Sequence, residues 1–251
     1  MGRPENGEAL RLLGQTLEAP CLPPRIRDLL GVAKLYGPWT PDERQVDLLR
    51  ELLGLAAIER PEPEPVVAIP DLFPHQHRAL AFLKEREGRA LLAMEMRTGK
   101  TRTSIEWLKH TGELARTVVL APLSVTYVWR HELAQWADVA PSLAVGSTAE
   151  KLAALSGPGP WVLNYEAVRA LPVLKRLLEL KPKALVLDES TRIKDRTTIT
   201  TKAVHGLASK VPGSILALSG NPMPEGPLDV WSQVKPFSKD PLGFPTWWGM
   251  R

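Results

Sequence analysis

From about residue 71 onward, short apolar runs alternate with longer segments in which apolar residues recur at helical spacing. The apolar runs predict strands at 89–93, 117–121, 161–164, 184–188 and 214–218, and a weaker strand near 143–146. The segments between them predict helices at about 75–86, 101–110, 124–136, 166–179 and 196–207. Strands that alternate with helices are typical of a parallel sheet covered on both faces. We therefore predict an α/β fold built on a doubly wound, mainly parallel sheet.

The N-terminal part of the chain has a different pattern, which predicts a small helical segment. Thr40-Pro41-Asp42-Glu43 forms a capping box with proline at the first helical position, and a leucine-rich helical face follows it. A shorter helix is predicted from about Arg25 to Lys34. The sequence RPEPEP at 60–65 favours an extended conformation. We expect a helical accessory segment at 1–60, a proline-rich linker at 61–70 and the α/β domain at 71–251.

Composition narrows the class of protein without identifying it. The 251 residues can bury one substantial core, and 44% hydrophobic with 24% charged residues is ordinary for a soluble protein. No apolar run is long enough to span a bilayer and no signal peptide is visible, so we expect no membrane partner. Because Cys21 is the only cysteine, we expect a reducing compartment: the cytoplasm of a bacterial or phage-infected cell, or a eukaryotic nucleus. The net charge of +4 favours a polyanionic partner only weakly.

The first candidate site follows the predicted strand at 89–93, where the sequence reads MEMRTGKT. A turn that closes on Gly99 and Lys100 at the start of a helix is typical of a phosphate-binding loop. Backbone N–H groups face the phosphates there, lysine supplies a cation and the Thr101 hydroxyl ligates Mg²⁺. GKT alone occurs by chance, and the full pattern has glycine where this chain has Met94. The predicted ATP contacts are Thr98, Gly99, Lys100, Thr101 and Arg102.

The second candidate site is the sequence ALVLDE, a predicted strand that ends in Asp188 and Glu189. Asp188 is suited to hold Mg²⁺ together with Thr101, and Glu189 to polarise the attacking water. A DE pair after a strand is often only a solvated turn. Here, however, both sequences follow strands at the edge where open α/β sheets bind ligands. Together they predict binding of ATP and Mg²⁺, with Lys100, Asp188 and Glu189 as the catalytic residues.

Four further segments occur in a fixed order with these two: PHQHRALAFL, VVLAPLSVTYVWRHELAQW, VLNYEAV and ALSGNPMPEGPLDVWSQVKPF. This order resembles superfamily-two helicases, and most closely the Swi/Snf-type DNA translocases, from Leu72 to the C-terminus. The resemblance implies a RecA-like fold and the N-terminal lobe of a two-lobe, ATP-dependent DNA motor. A second RecA-like lobe, in cis or in trans, would supply the arginine finger.

The resemblance also implies roles for residues outside the two nucleotide segments. Gln76 takes the place of a glutamine that reads the adenine edge, although a surface glutamine that opens a helix is the alternative. Two segments resemble motifs that hold the DNA backbone independently of sequence; they contribute Pro122, Ser124, Asn164 and Tyr165. SGNPMPE resembles a loop that senses nucleotide state and relays it to DNA; the coupling residues there are Ser219, Gly220 and Asn221.

Some positions depart from the family pattern. Arg97 replaces a glycine of the phosphate loop, so the backbone there must accept a β-carbon. In DESTRIKD, Ser190 and Thr191 replace the usual alanine and histidine. Trp129 recurs with other apolar residues at helical spacing, which favours packing of a helix on the sheet over stacking on bases.

These observations leave more than one function open. The first hypothesis is an ATP-dependent DNA translocase or helicase, represented here by one lobe. The alternative is a stand-alone ATP-binding regulatory module, or one half of a split motor that acts through a partner protein. A small-substrate kinase is disfavoured because nothing in the sequence resembles a small-substrate pocket.

Overall fold

The computed structural model describes residues 72–226, 228–239 and 241, together with the backbone of two short strands nearer the N-terminus. Those strands, β1 (Leu17–Glu18) and β2 (Pro38–Trp39), pair antiparallel. The helices predicted at 25–34 and after Thr40, and the linker at 61–70, lie outside the described residues. Contacts divide the chain into two units, Met1–Glu62 and Pro63–Arg251.

The second unit contains a sheet of six strands, all parallel to their neighbours. In chain order they are β3 (Arg89–Ala93), β4 (Thr117–Ala121), β5 (Ser142–Ala144), β6 (Trp161–Asn164), β7 (Ala184–Asp188) and β8 (Ile215–Ser219). Their order across the sheet is β3-β8-β7-β4-β6-β5. The predicted fold class is confirmed, and the predicted strands agree with the observed ones to within two residues at each end.

The helices are α1 (Pro74–Glu85), α2 (Lys100–His110), α3 (Leu123–Ala137), α4 (Thr148–Ala154), α5 (Leu171–Glu179), α6 (Ile199–Ala208) and α7 (Leu228–Val234). The helix predicted at 166–179 is in fact a 3₁₀ turn, Tyr165–Arg169, followed by α5, which has proline in its first turn. Helix α4 was missed, although Ser147 and Glu150 form a capping box at its start. None of the helices in the described part of the chain is long and apolar enough to cross a membrane.

The core lies on both faces of the sheet. Every residue of β4, β7 and β8 is buried. Alternate residues of β4 belong to opposite apolar clusters: Val118 and Leu120 face one, Val119 and Ala121 the other. Burial on both faces explains why these strands read as continuous apolar runs. Because all six strands are parallel, the loops after them emerge at one edge of the sheet.

Candidate nucleotide and DNA site

Three of the predicted functional segments meet at the carboxyl edge of the sheet. The phosphate loop follows β3, and Asp188 of the carboxylate pair is the last residue of β7. The segment Ser219–Asn221, here called the SGN loop, begins at the last residue of β8. Strand β8 lies between β3 and β7. The backbone N–H of Met94 donates to the Ser219 carbonyl at 3.2 Å, which continues the ladder into the loops. The structure therefore brings together segments that are far apart in the chain.

The phosphate loop folds around the side chain of Lys100. The Lys100 ammonium donates to the carbonyls of Met94 and Glu95, each at 2.9 Å, and the Thr98 hydroxyl donates to the Glu95 carbonyl at 2.7 Å. Arg97 accepts the left-handed conformation, with φ of 63°. Helix α2 begins at Lys100, so its free N–H groups face the same space as the ammonium. This arrangement is suited to hold an anion at the loop.

Gln76 is buried and links α1 to this loop. Its side-chain oxygen accepts from the Phe73 N–H at 2.9 Å, and its nitrogen donates to the Thr98 carbonyl at 3.3 Å. His75 makes a second contact with the Thr98 carbonyl, at 2.8 Å. A β-carbon on Gly99 would lie 2.1 Å from the Gln76 nitrogen, so a larger residue there would displace the Gln76 side chain. The surface-glutamine alternative is wrong, while the reading of adenine by Gln76 stays a prediction.

The two carboxylates at the end of β7 lie in different surroundings. Asp188 is only 6% exposed, and burial raises the pKa of its carboxyl; hydrogen bonds from Trp129 and the Glu189 N–H and the charge of Lys100 lower it. Glu189 is partly buried. Burial and the charge of Asp188 raise its pKa, against the charges of Lys100 and Arg192. Because burial raises the pKa of both carboxyls, and the charge of Asp188 adds to the effect on Glu189, a further cation beside them would be favourable.

Asp188 and Thr101 carry oxygen atoms of the kind that a hard divalent cation takes as ligands. The Asp188 carboxylate ends β7 and the partly buried Thr101 is the second residue of α2. Carboxylate and hydroxyl oxygens are the ligands that Mg²⁺ takes in nucleotide sites, usually together with phosphate and water. The residues present are therefore compatible with Mg²⁺ bound between Thr101 and Asp188.

Trp129 contributes to the site in a way that the sequence did not predict. The side chain is fully buried, which confirms packing against the sheet and excludes stacking on bases. Its indole N–H donates to Asp188 Oδ2 at 2.7 Å, while the Glu189 N–H donates to the other carboxylate oxygen at 2.9 Å. A buried indole N–H needs an acceptor, and this requirement is the only feature of the sequence that indicates a polar contact for Trp129. Trp129 therefore fixes the orientation of the Asp188 carboxylate.

Tyr165 also supports the carboxylate turn instead of facing solvent. It is 1% exposed, and its hydroxyl donates to the Asp188 carbonyl at 2.9 Å. Burial raises the pKa of the Tyr165 hydroxyl well above its ordinary value, so the group stays neutral and keeps this bond. The expectation that Tyr165 contacts DNA is corrected: in this position its side chain does not reach a surface ligand.

The other predicted DNA residues lie at the carboxyl ends of two neighbouring strands. Pro122 and Ser124 follow β4; Pro122 is partly buried and Ser124 is exposed near the start of α3. Asn164 ends β6, and its amide nitrogen donates to the Glu166 carboxylate at 2.7 Å. The Asn164 side-chain oxygen is buried without a hydrogen-bond partner among the described residues. These positions together line one side of the carboxyl edge.

Arg102 does not direct its side chain at the phosphate loop. Its guanidinium lies 4.0 Å from the centroid of the Trp136 ring, in a cation–π contact between α2 and α3. The backbone N–H of Arg102 belongs to the first turn of α2, and the predicted contact of this residue with ATP stays a prediction. The side chain instead packs two helices together.

The SGN loop is packed directly on the phosphate loop. Ser219 is fully buried, and its hydroxyl accepts from the Asn221 N–H at 3.2 Å. A β-carbon on Gly220 would lie 3.2 Å from the Met96 side chain, so the two loops approach closely there. Asn221 is exposed. Contact with the phosphate loop on one side and exposure on the other are compatible with the predicted coupling role.

Comparison with known proteins gives consistent matches. The family model of the SNF2-related domain matches residues 75–250. A Caenorhabditis elegans homologue of SWI/SNF-related matrix-associated actin-dependent regulator of chromatin subfamily A-like protein 1 is 28% identical over 170 residues, 65% of this chain and 24% of the relative. The mouse DNA annealing helicase and endonuclease ZRANB3 is 27% identical over 180 residues, 70% of this chain and 17% of the relative. The chain thus spans a quarter or less of these relatives.

A phage protein and two solved structures extend the comparison. Putative protein p41 of Acyrthosiphon pisum secondary endosymbiont phage 1 is 28% identical over 173 residues, 64% of this chain and 38% of the relative. The SWI2/SNF2 ATPase core of Sulfolobus solfataricus in complex with dsDNA superposes with a TM-score of 0.58 and 26% identity, over 75% of this chain and 40% of that one. The Hef helicase domain of Pyrococcus furiosus shares the fold, with a TM-score of 0.54, 15% identity and coverage of 65% and 35%.

Proposed function

Because the chain belongs to the SNF2-related domain family, we propose that it is the nucleotide-binding lobe of an ATP-dependent DNA translocase. The observation that carries this proposal is the meeting of Lys100, Asp188 and Ser219 at the carboxyl ends of three adjacent strands. A phosphate-binding loop and a carboxylate pair support this proposal, because nucleotide hydrolysis requires groups that hold the phosphates, the metal ion and the attacking water.

The proposed nucleotide chemistry assigns one task to each residue. The Lys100 ammonium and the start of α2 hold the phosphates, and the backbone of 98–102 surrounds them. Thr101 and Asp188 would hold Mg²⁺, which offsets the negative charge of the phosphates when it is bound. Glu189, whose pKa is raised by burial and by Asp188, accepts a proton from the attacking water more readily than an ordinary glutamate.

The proposed DNA contacts are made with the backbone. Ser124 offers a neutral donor at the exposed start of α3, beside Pro122, and Asn164 lies on the neighbouring strand. Such groups bind phosphate and carry no information about base sequence. We expect weak, sequence-independent and salt-sensitive binding. A titration of two unrelated duplexes at two salt concentrations tests this, and a marked preference for one sequence would contradict it.

The complete motor is proposed to need a second RecA-like lobe, joined in cis or supplied in trans. An arginine finger from such a lobe contributes about 10³–10⁵ in rate in related phosphoryl transfers. The purified 251-residue chain should therefore bind ATP and hydrolyse it very slowly, even with DNA. A stand-alone regulatory module would keep this slow rate when a second lobe is added, whereas a motor lobe would be activated. Fast, DNA-stimulated turnover by the chain alone would contradict the assignment.

The direct test of the nucleotide site is Lys100→Ala, measured by calorimetry with Mg²⁺ and a non-hydrolysable ATP analogue. Loss of a charged hydrogen-bond donor costs about 1.5–3 kcal/mol, or roughly 10–150-fold in affinity. The matched control is Lys109→Ala, at the far end of the same helix, where the ammonium donates to the Trp136 carbonyl at 2.8 Å. Equal affinities for wild type and Lys100→Ala would refute the proposed site.

A further inference from the structure

A buried glutamine on α7 joins the carboxylate turn to the SGN loop. Gln233 is fully buried, and its side-chain oxygen accepts from the Ser190 hydroxyl at 2.7 Å. Its nitrogen donates to the Pro222 carbonyl at 2.7 Å and to the Asp229 carbonyl at 2.8 Å. Ser190 directly follows Glu189, and Pro222 directly follows Asn221. One side chain therefore spans the two loops.

This link is suited to transmit displacement because it is buried and its donors are fully used. Both amide hydrogens of Gln233 have acceptors, and Ser190 is itself fully buried. A bond broken in such surroundings is not replaced by a bond to water, so the partners tend to move together. The stretches that follow these two segments also form an ion pair, between Lys194 and Glu225. That pair is solvent-exposed and stabilises the contact little.

We propose that Gln233 is a positioning residue that transmits nucleotide state from the Asp188–Glu189 turn to the SGN loop. The proposal rests on the function proposed above and adds the path of coupling. A shift of the turn displaces the Ser190 hydroxyl, Gln233 follows it, and the Pro222 carbonyl moves at the base of the SGN loop. The path runs in both directions, because coupling between two binding equilibria is reciprocal.

The experiment measures the affinity of the chain for a labelled DNA duplex with and without Mg²⁺ and a non-hydrolysable ATP analogue. The ratio of the two affinities is the coupling factor, and factors of about 5–150 are typical of coupled sites. In Gln233→Leu and in Ser190→Ala we expect this factor to fall toward one. The double variant should show no further loss, because both residues belong to the same link.

Ser232→Ala is the matched control. Ser232 precedes Gln233 on α7, is equally buried, and its hydroxyl has no hydrogen-bond partner in the described part of the chain. Ser232→Ala removes a buried serine hydroxyl, as Ser190→Ala does, but leaves the Ser190–Gln233 bond intact. We therefore expect the wild-type coupling factor in this variant. Affinity for nucleotide alone should also remain at the wild-type value in Gln233→Leu, which separates positioning from direct binding.

Each outcome has a distinct meaning. A wild-type chain that binds neither nucleotide nor DNA would overturn the proposed function and this inference with it. A chain that binds both, with a coupling factor of one or a factor unchanged in Gln233→Leu, would overturn the relay alone. If a single variant fails to fold, the double variant decides, because it removes both side-chain partners of the Ser190–Gln233 bond. A lowered melting temperature with unchanged coupling would show that Gln233 is only structural, and would also refute the proposal.

Discussion

At the amino ends of the strands, side chains from neighbouring loops bond to one another, whereas at the carboxyl ends the charged groups face a common space. The Ser214 hydroxyl accepts from the Trp107 indole at 2.9 Å and donates to Glu113. Arg89 donates to the Val211 carbonyl at 2.8 Å. At the carboxyl edge, burial raises the pKa of Asp188, and burial together with the charge of Asp188 raises the pKa of Glu189. The contacts at the amino edge therefore stabilise the fold, while the carboxylates at the carboxyl edge are suited to bind a ligand.

The largest difference between the edges should appear with two glutamates. Glu189→Gln keeps the size of the side chain and removes the proposed base, so turnover should fall by about 10²–10⁴-fold while nucleotide still binds. Glu113→Gln makes the same change at the amino edge and should leave turnover at the wild-type value. The measurement is DNA-stimulated phosphate release with the second lobe present. Equal rates for Glu189→Gln and wild type would remove Glu189 from the mechanism.

The next largest effect is a loss of folding stability, caused by a substitution at the amino edge of the sheet. Ser214→Ala leaves the Trp107 N–H and the Glu113 carboxylate without their shared partner, which should lower the free energy of unfolding by about 1–3 kcal/mol. Nucleotide affinity should not change. Urea unfolding and calorimetry measure the two quantities. The control is Ser209→Ala, because Ser209 is exposed and its hydroxyl donates to the nearby Gly206 carbonyl. Weaker nucleotide binding in Ser214→Ala would show that the two edges are not independent.

Two glycines with positive φ allow a matched comparison of backbone strain. Gly99 has φ of 80° and lies against Gln76, whereas Gly112 has φ of 68° and open space around its α-carbon. Alanine at either position should cost about 1–2 kcal/mol through the left-handed conformation. Only Gly99→Ala should also weaken nucleotide binding, because Gln76 must move away from the loop. Identical binding by the two variants would argue against the contact between Gln76 and the loop.

The smallest effect concerns the orientation of Asp188. Trp129→Phe removes the indole donor and should weaken Mg²⁺-dependent nucleotide binding only a few-fold at neutral pH. The Trp129 hydrogen bond lowers the pKa of Asp188, so its loss raises that pKa. Binding that requires the ionised carboxylate should therefore be lost at a higher pH than in wild type as the pH falls.

The control for this variant lies on the same helix. Trp136 donates its indole N–H to Glu132 at 2.8 Å, away from Asp188. Trp136→Phe should keep the wild-type pH dependence of nucleotide binding. If Trp129→Phe keeps it as well, the indole contributes packing and does not tune the carboxylate.

The strands could be predicted from the sequence, but their order and the polar contacts could not. Strands β4, β7 and β8 are apolar along their whole length because both faces are buried. A continuous apolar run does not specify which strands pair with it, so the position of β8 between β3 and β7 could not be predicted from the sequence. Arg102 and Tyr165 were assigned to ligands from their position in motifs. In the structure the Arg102 side chain packs on the Trp136 ring, and the Tyr165 hydroxyl donates to the buried Asp188 carbonyl.

The place of β8 has a consequence for the order in which the site is made. Strand β3 pairs only with β8 in the described sheet, although more than one hundred residues separate Ala93 from Ile215 in the chain. On the ribosome, the strand that precedes the phosphate loop therefore has no partner in this sheet until the last strand emerges. A nascent chain should acquire nucleotide affinity in one late step, and proteases should cut freely between β3 and α2 until that step is complete.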